Sequence, residues 1–150
     1  MRKRTQGREC ALQILYQLEM NPGPLEDLIT SFWKENPPAA EEVKKFAESL
    51  VHGCLEHQEE LDRIIVKATE HWQLGRMAVI DRNILRFATY ELLFLEDIPP
   101  KVTINEAVNL AKKFSQEESG KFVNGVLDKI THTEKTRYSG SHDSTTRPSD

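Results

Sequence analysis

The chain has 150 residues, 38% hydrophobic and 29% charged, which suits one soluble domain with a buried core and excludes wholesale disorder. Its net charge of −4 divides into +4 on the first eight residues (Arg2, Lys3, Arg4 and Arg8, with no acid) and −8 on the remainder, a basic start on an acidic body. No apolar run approaches the roughly 18–20 residues that span a bilayer, and two cysteines in helical patterns, Cys10 and Cys54, exclude a disulfide scaffold. No signal-peptide core follows the basic start, so a cytoplasmic protein is expected, away from any membrane.

The 3.6-residue period recurs along the chain, and no stretch alternates long enough for a strand-rich fold. A first helix is expected from about Thr5 or Arg8 to Met20, stopped by Asn21-Pro22-Gly23-Pro24. A second runs from Leu25 to Trp33 and ends at Asn36-Pro37-Pro38. Val43, Phe46, Ala47, Leu50, Val51, Cys54 and Leu55 form a longer stripe. His57-Gln58-Glu59-Glu60 interrupts it before Leu61, Ile64, Ile65 and Ala68 resume, which predicts a kink or two helices.

The most apolar helix carries Ile80, Ile84, Leu85, Ala88, Leu92 and Leu95, a stripe broad enough for the centre of a bundle. Asp97-Ile98-Pro99-Pro100 closes it, and Thr103-Ile104-Asn105-Glu106 reads as a capping box opening the next helix. A last helix spans Glu117 to Ile130. Gly125 falls inside it, which suggests a place where another helix approaches closely. From Thr131 onward the stripe is lost, and residues 131–150 read as a disordered polar tail. Six to seven helices result, an all-α domain over 1–130.

Chemical machinery is not evident. Ser119-Gly120-Lys121 lacks the earlier glycine and the leading strand of a phosphate loop. Cys54 and His57 are at most half a metal site, without a second pair at zinc-like spacing. His52, His71, His132 and His142 are scattered. No catalytic residue, metal or cofactor is expected, and the chain does not read as an enzyme.

Three stretches carry a resemblance. They are Arg8-Glu9-Cys10-Ala11-Leu12-Gln13-Ile14-Leu15-Tyr16-Gln17; Asp81-Arg82-Asn83-Ile84-Leu85-Arg86-Phe87-Ala88-Thr89-Tyr90-Glu91-Leu92, followed by Ile98-Pro99 and Val102-Thr103-Ile104-Asn105-Glu106-Ala107; and Lys121-Phe122-Val123-Asn124-Gly125-Val126-Leu127-Asp128. In order and spacing these resemble the NusB family of transcription antitermination factors, from Arg4 to Ile130. The resemblance implies two three-helix bundles packed roughly perpendicular. It implies binding of the boxA element of nascent ribosomal RNA, as single strand, together with NusE, a ribosomal protein of the small subunit. It also implies a place in the RNA polymerase antitermination complex with other Nus factors.

The resemblance places RNA contacts at Arg2, Lys3, Arg4, Arg8, Gln13, Tyr16, Glu118, Lys121 and Phe122, and partner contacts at Asp81, Tyr90 and Glu91. A flexible basic arm suits phosphate binding through counterion release, with a salt slope no steeper than about −3 for four charges. Aromatic rings would stack unpaired bases. Tyr16, two turns after Arg8, reads equally as a core residue with its hydroxyl at the rim. Phe122 reads equally as helix core, and Gln13 as a solvated polar residue. Glu118 cuts against RNA, since a carboxylate repels the backbone. Asp81 also reads as a helix N-cap or first-turn acid, and Arg86 as the partner of a nearby carboxylate. Gly7 interrupts the arm and thins its charge.

Of three rival readings, the sequence disfavours two. A protein-binding helical scaffold would ignore RNA and tolerate loss of residues 1–8. NusB-like domains also precede some ribosomal RNA cytosine methyltransferases, but those need a long cofactor-binding domain after the last helix. A helix-turn-helix regulator lacks its short glycine turn and basic recognition helix.

Overall fold

A computed structural model describes residues 2–70 and 74–135. Among these residues there are seven α-helices and no strand, so the all-α reading holds. Two compact units form, Met1–Glu56 and His57–Asp150, out of what reads in sequence as one domain.

The first unit contains α1 (Lys3–Met20), α2 (Leu25–Glu35) and α3 (Glu41–Glu56). Both α2 and α3 pack on α1. Its core comes from Ala11, Leu12, Ile14 and Leu15 of α1, Ile29 and Phe32 of α2, and Val43, Ala47, Leu50, Val51 and Cys54 of α3. These recur at three and four residues, as a helix with one buried stripe requires. Glu26 and Asp27 in the first turn of α2, with Lys34 in its last, match the helix dipole. Asn36 ends α2 by donating from Nδ2 to the Phe32 carbonyl at 2.8 Å.

The second unit contains α4 (Gln58–Ala68), a 3-10 turn at Leu74–Arg76, α5 (Val79–Phe94), α6 (Pro100–Phe114) and α7 (Glu117–Ile130). The interruption at His57 is thus a break between two helices. Helix α5 packs against α4, α6 and α7, and brings Ile84, Leu85, Phe87, Ala88 and Leu92 into the core. Arg86 and Asp62 tie α4 to α5 as a two-pronged pair, Nε to Oδ1 at 2.8 Å and the second prong to Oδ2 at 3.1 Å. That is the carboxylate partner expected for Arg86.

Several local expectations are corrected. The capping box at Thr103 does not form, because α6 already begins at Pro100. Proline suits the first helical position, where its missing N–H loses no bond. Thr103 lies a turn further in and donates its hydroxyl to Glu91 Oε1 at 2.9 Å, both side chains buried. Gly125 faces open space and no helix approaches it. The close approaches fall instead at Gly7, where a Cβ would lie 2.8 Å from Phe46 Cδ2, and at Gly120, where it would lie 2.9 Å from Lys112 Cε. Gly7 therefore does not interrupt a flexible arm. It is a buried residue of α1.

The helical path also continues past α7 as a wide turn over Thr131–Lys135, within the stretch expected as disordered tail. Glu134 is buried there, with Lys67 Nζ 3.8 Å from its Oε2. Residues 136–150 of that expected tail lie outside the described residues, as does His71.

Candidate nucleic-acid interface

The basic end of the chain is the start of α1, whose first turn contains no acid. Cations at a helix N-terminus oppose the helix dipole, so these charges destabilise α1 by themselves. Helix α3 compensates. Lys3 Nζ lies 2.6 Å from Glu42 Oε1, an exposed pair. That hydrogen bond and the ammonium charge hold the Glu42 carboxyl below its usual range. The guanidinium of Arg4 lies 4.9 Å from the centre of the Phe46 ring, and that of Arg8 lies 5.2 Å from it. Both distances are within cation–π range.

The four predicted RNA-binding cations are therefore not alike. Arg2 is exposed at the N-cap, Lys3 and Arg4 are exposed but engaged by α3, and Arg8 is buried, with 2% of its surface accessible. As an exposed arm residue Arg8 is corrected, since its charge is held against an aromatic ring inside the first unit. Cys10, half-buried two residues further along, has its thiol pushed up in pKa by burial and by Glu9.

Tyr16 is 39% exposed and Met20 52%, while Gln13 is half-buried and Gln17 exposed. Tyr16 is therefore no core residue, and it does not share the buried surroundings of Arg8. It belongs to a solvent-facing strip on the second half of α1.

On α7, Glu118 and Lys121 are exposed and Phe122 is half-buried. These belong to the second unit, whereas the α1 residues belong to the first. Gly120 lets α7 close onto the aliphatic stem of Lys112, whose Nζ lies 3.7 Å from Glu117 Oε2. The start of α7 is also held from within. Ser119 donates to Asp81 Oδ2 at 3.0 Å and lies 3.0 Å from the Ser115 hydroxyl, so one chain of polar groups joins the start of α5, the end of α6 and the start of α7. Asp81 Oδ1 is buried and has no hydrogen-bond donor among the described residues.

The predicted partner residues fare differently. Asp81 is 8% exposed and is a first-turn acid of α5, as its position at the start of that helix also allowed. Glu91 has no accessible surface, so it is corrected as an interface residue. Its position follows from spacing, because it stands seven residues after Ile84 and three after Ala88, on the buried stripe. Buried carboxylates need donors, and Thr103 is one. Tyr90 is half-buried in a stack of rings, 5.2 Å from Phe94 and 6.0 Å from His57, with His57 4.4 Å from Phe94.

Sequence reasoning missed Phe46, which it counted only as a core stripe residue, and Ser119, which it read only as part of a failed phosphate loop. The signal for Phe46 was Gly7, a residue without a side chain between two arginines one helical turn apart.

Comparison with known proteins bears on the family and the fold. The NusB family model matches residues 5–132. The transcription antitermination protein NusB of Desulfitobacterium hafniense is 46% identical over 143 residues, covering 94% of this chain and 96% of that protein. Its counterpart in Geobacter sulfurreducens is 48% identical over 133 residues, covering 89% and 96%. Among solved structures, T. maritima NusB superposes with a TM-score of 0.79 at 38% identity, covering 89% of this chain and 96% of that one. The antitermination factors NusB and NusE in complex with double-stranded RNA provide another, with TM-score 0.80 at 32% identity and coverage of 88% and 98%. No helix among the described residues is long and apolar enough to cross a membrane. By sequence over most of its length and by fold, the chain belongs to the NusB family.

Proposed function

We propose that this protein is a transcription antitermination factor that binds boxA-type RNA together with the small-subunit ribosomal protein NusE, in the cytoplasm. It acts by binding, as an adaptor to RNA polymerase alongside other Nus factors, and performs no turnover. The observation that carries this reading is the basic start of α1. Its cations are placed where they harm helix stability, and α3 holds them in place, which is the expected layout of a charge cluster kept for an anionic ligand. A structural neighbour that contains NusB, NusE and RNA supports the choice of ligand and partner.

The two units have different roles in this reading. The first contributes electrostatic attraction through Arg2, Lys3 and Arg4, with Tyr16 as an exposed ring for base stacking. The second contributes selectivity through Lys121 and the half-buried ring of Phe122, while Glu118 limits affinity. The acidic remainder of the chain suits a basic ribosomal partner, because complementary fields speed encounter and fix orientation. Asp81 and Glu91 contribute to that contact by holding α5 and its neighbours in place, since both are buried.

Fluorescence anisotropy of a boxA RNA and a scrambled control, titrated with and without NusE, tests this reading. Binding that prefers boxA and tightens with NusE is expected. Equal weak binding to both RNAs under both conditions would instead favour a purely protein-binding scaffold.

A further inference from the structure

We infer that Phe46 is a positioning residue for RNA binding: its ring on α3, packed against the buried guanidinium of Arg8, holds the exposed guanidinium of Arg4 as a preorganised phosphate contact at the start of α1. The inference rests on the RNA-binding reading above and adds a residue and a mechanism to it.

Three observations meet at this ring. Arg4 and Arg8 are one turn apart on α1, and both guanidiniums lie close to the Phe46 ring centre, at 4.9 and 5.2 Å. Gly7, between them, has no side chain, and that gap is where the ring edge fits. An added Cβ would meet Phe46 Cδ2 at 2.8 Å and the Val43 carbonyl at 3.4 Å. Beside them, Lys3 is pinned to Glu42, one turn before Phe46 on α3.

Like charges four residues apart on a helix repel one another, and at a helix N-terminus each also opposes the dipole. An aromatic face offsets part of this, since its quadrupole attracts cations. A phosphate that arrives adds a further favourable partner for the exposed guanidinium of Arg4. Burial of Arg8 holds one guanidinium fixed, while Arg4 stays exposed and able to meet the ligand. Fixed cations also lose less freedom on binding than a flexible arm does. The start of α1 is thus a rigid phosphate site set by packing.

The test is the affinity of boxA RNA for the full chain across a salt series, with wild type, Phe46→Leu, Phe46→Tyr, Arg4→Ala and the double variant Phe46→Leu/Arg4→Ala. Circular dichroism checks that each retains its helices. Phe46→Leu keeps an apolar side chain but removes the ring face. It is expected to weaken binding about three- to tenfold, as loss of one or two cation–π contacts predicts. The slope of log K against log salt should become shallower by about 1, because a phosphate contact is lost. Phe46→Tyr retains the face and should stay within about twofold of wild type. Arg4→Ala should cost less in the Phe46→Leu background than in wild type, the sign of two residues acting as one unit.

A folded Phe46→Leu with wild-type affinity and slope would overturn the inference. So would losses from Arg4→Ala and Phe46→Leu that multiply independently. A wild-type protein that does not bind the RNA would overturn both this inference and the RNA-binding reading beneath it, whereas either of the former results leaves that reading standing.

Discussion

The start of α1 and the start of α7 solve opposite electrostatic problems. At α1 the first turn has cations and no acid, against the helix dipole, and the compensation comes from outside the helix, from Glu42 and Phe46 of α3. At α7 the first turn has Glu117 and Glu118, in accord with the dipole, and the helix is further held by the buried Asp81–Ser119 hydrogen bond. The first arrangement gives up local helix stability for a charge that attracts phosphate. The second favours the helix and repels phosphate. On the proposed reading, the helix end that violates the dipole rule is the one that attracts RNA.

The largest effect that can break this comparison is steric. Gly7→Ala places a Cβ 2.8 Å from the Phe46 ring, whereas Gly125→Ala meets nothing within 4 Å. Chemical denaturation should show Gly7→Ala losing about 1–3 kcal/mol through overpacking. Gly125→Ala should gain about 0.5–1 kcal/mol from helix propensity alone. Equal effects at the two glycines would mean that the α1–α3 approach is not the tight contact described.

Next in size is Tyr16→Ala. An exposed ring contributes little to folding, so the melting curve should barely move. RNA affinity should fall by about 1–3 kcal/mol if the ring stacks a base. A loss of thermal stability without a loss of affinity would return Tyr16 to a structural role.

Glu118→Asn should act in the other direction. Removing an exposed carboxylate beside a phosphate backbone should strengthen boxA binding about two- to fivefold, the scale of exposed charge interactions. The same change takes an acid from the first turn of α7, so a few tenths of a kcal/mol of stability should be lost. An affinity that is unchanged or weaker in a filter-binding titration would remove Glu118 from the RNA face.

The smallest effect concerns pH. The Glu42 carboxyl is held low by Lys3, so this pair adds stability at neutral pH that fades as pH falls through the lowered value. Thermal melts of Glu42→Gln and wild type should therefore differ slightly at pH 7 and converge in acid. A difference that grows as the pH falls would contradict the assignment.

Much of this fold was legible in sequence because a single buried stripe leaves a plain 3.6-residue record. Helix α7 begins and ends where its stripe does, and the break at His57 is visible as four polar residues. The start of α6 was not, because Pro99-Pro100 reads equally as the end of one helix and the first turn of the next. Glu91 was misread because its charge outweighed its position on the stripe. Within the candidate interface, Lys3, Arg4 and Tyr16 are candidates from charge and resemblance, and the structure leaves all three exposed. Phe46 could not be told from its core neighbours, since which guanidiniums reach a ring depends on the α1–α3 packing and leaves no local pattern. The apparent flexible arm was helical for the same reason: α3 supplies what the first turn of α1 lacks.

The most direct test of the division of roles is boxA and scrambled RNA binding across a salt series for Arg4→Ala and Phe122→Ala. The account predicts that Arg4→Ala flattens the salt slope by about 1 while preserving preference for boxA. Phe122→Ala should keep the slope and lose the preference. Variants that both flatten the slope and both lose the preference would contradict it.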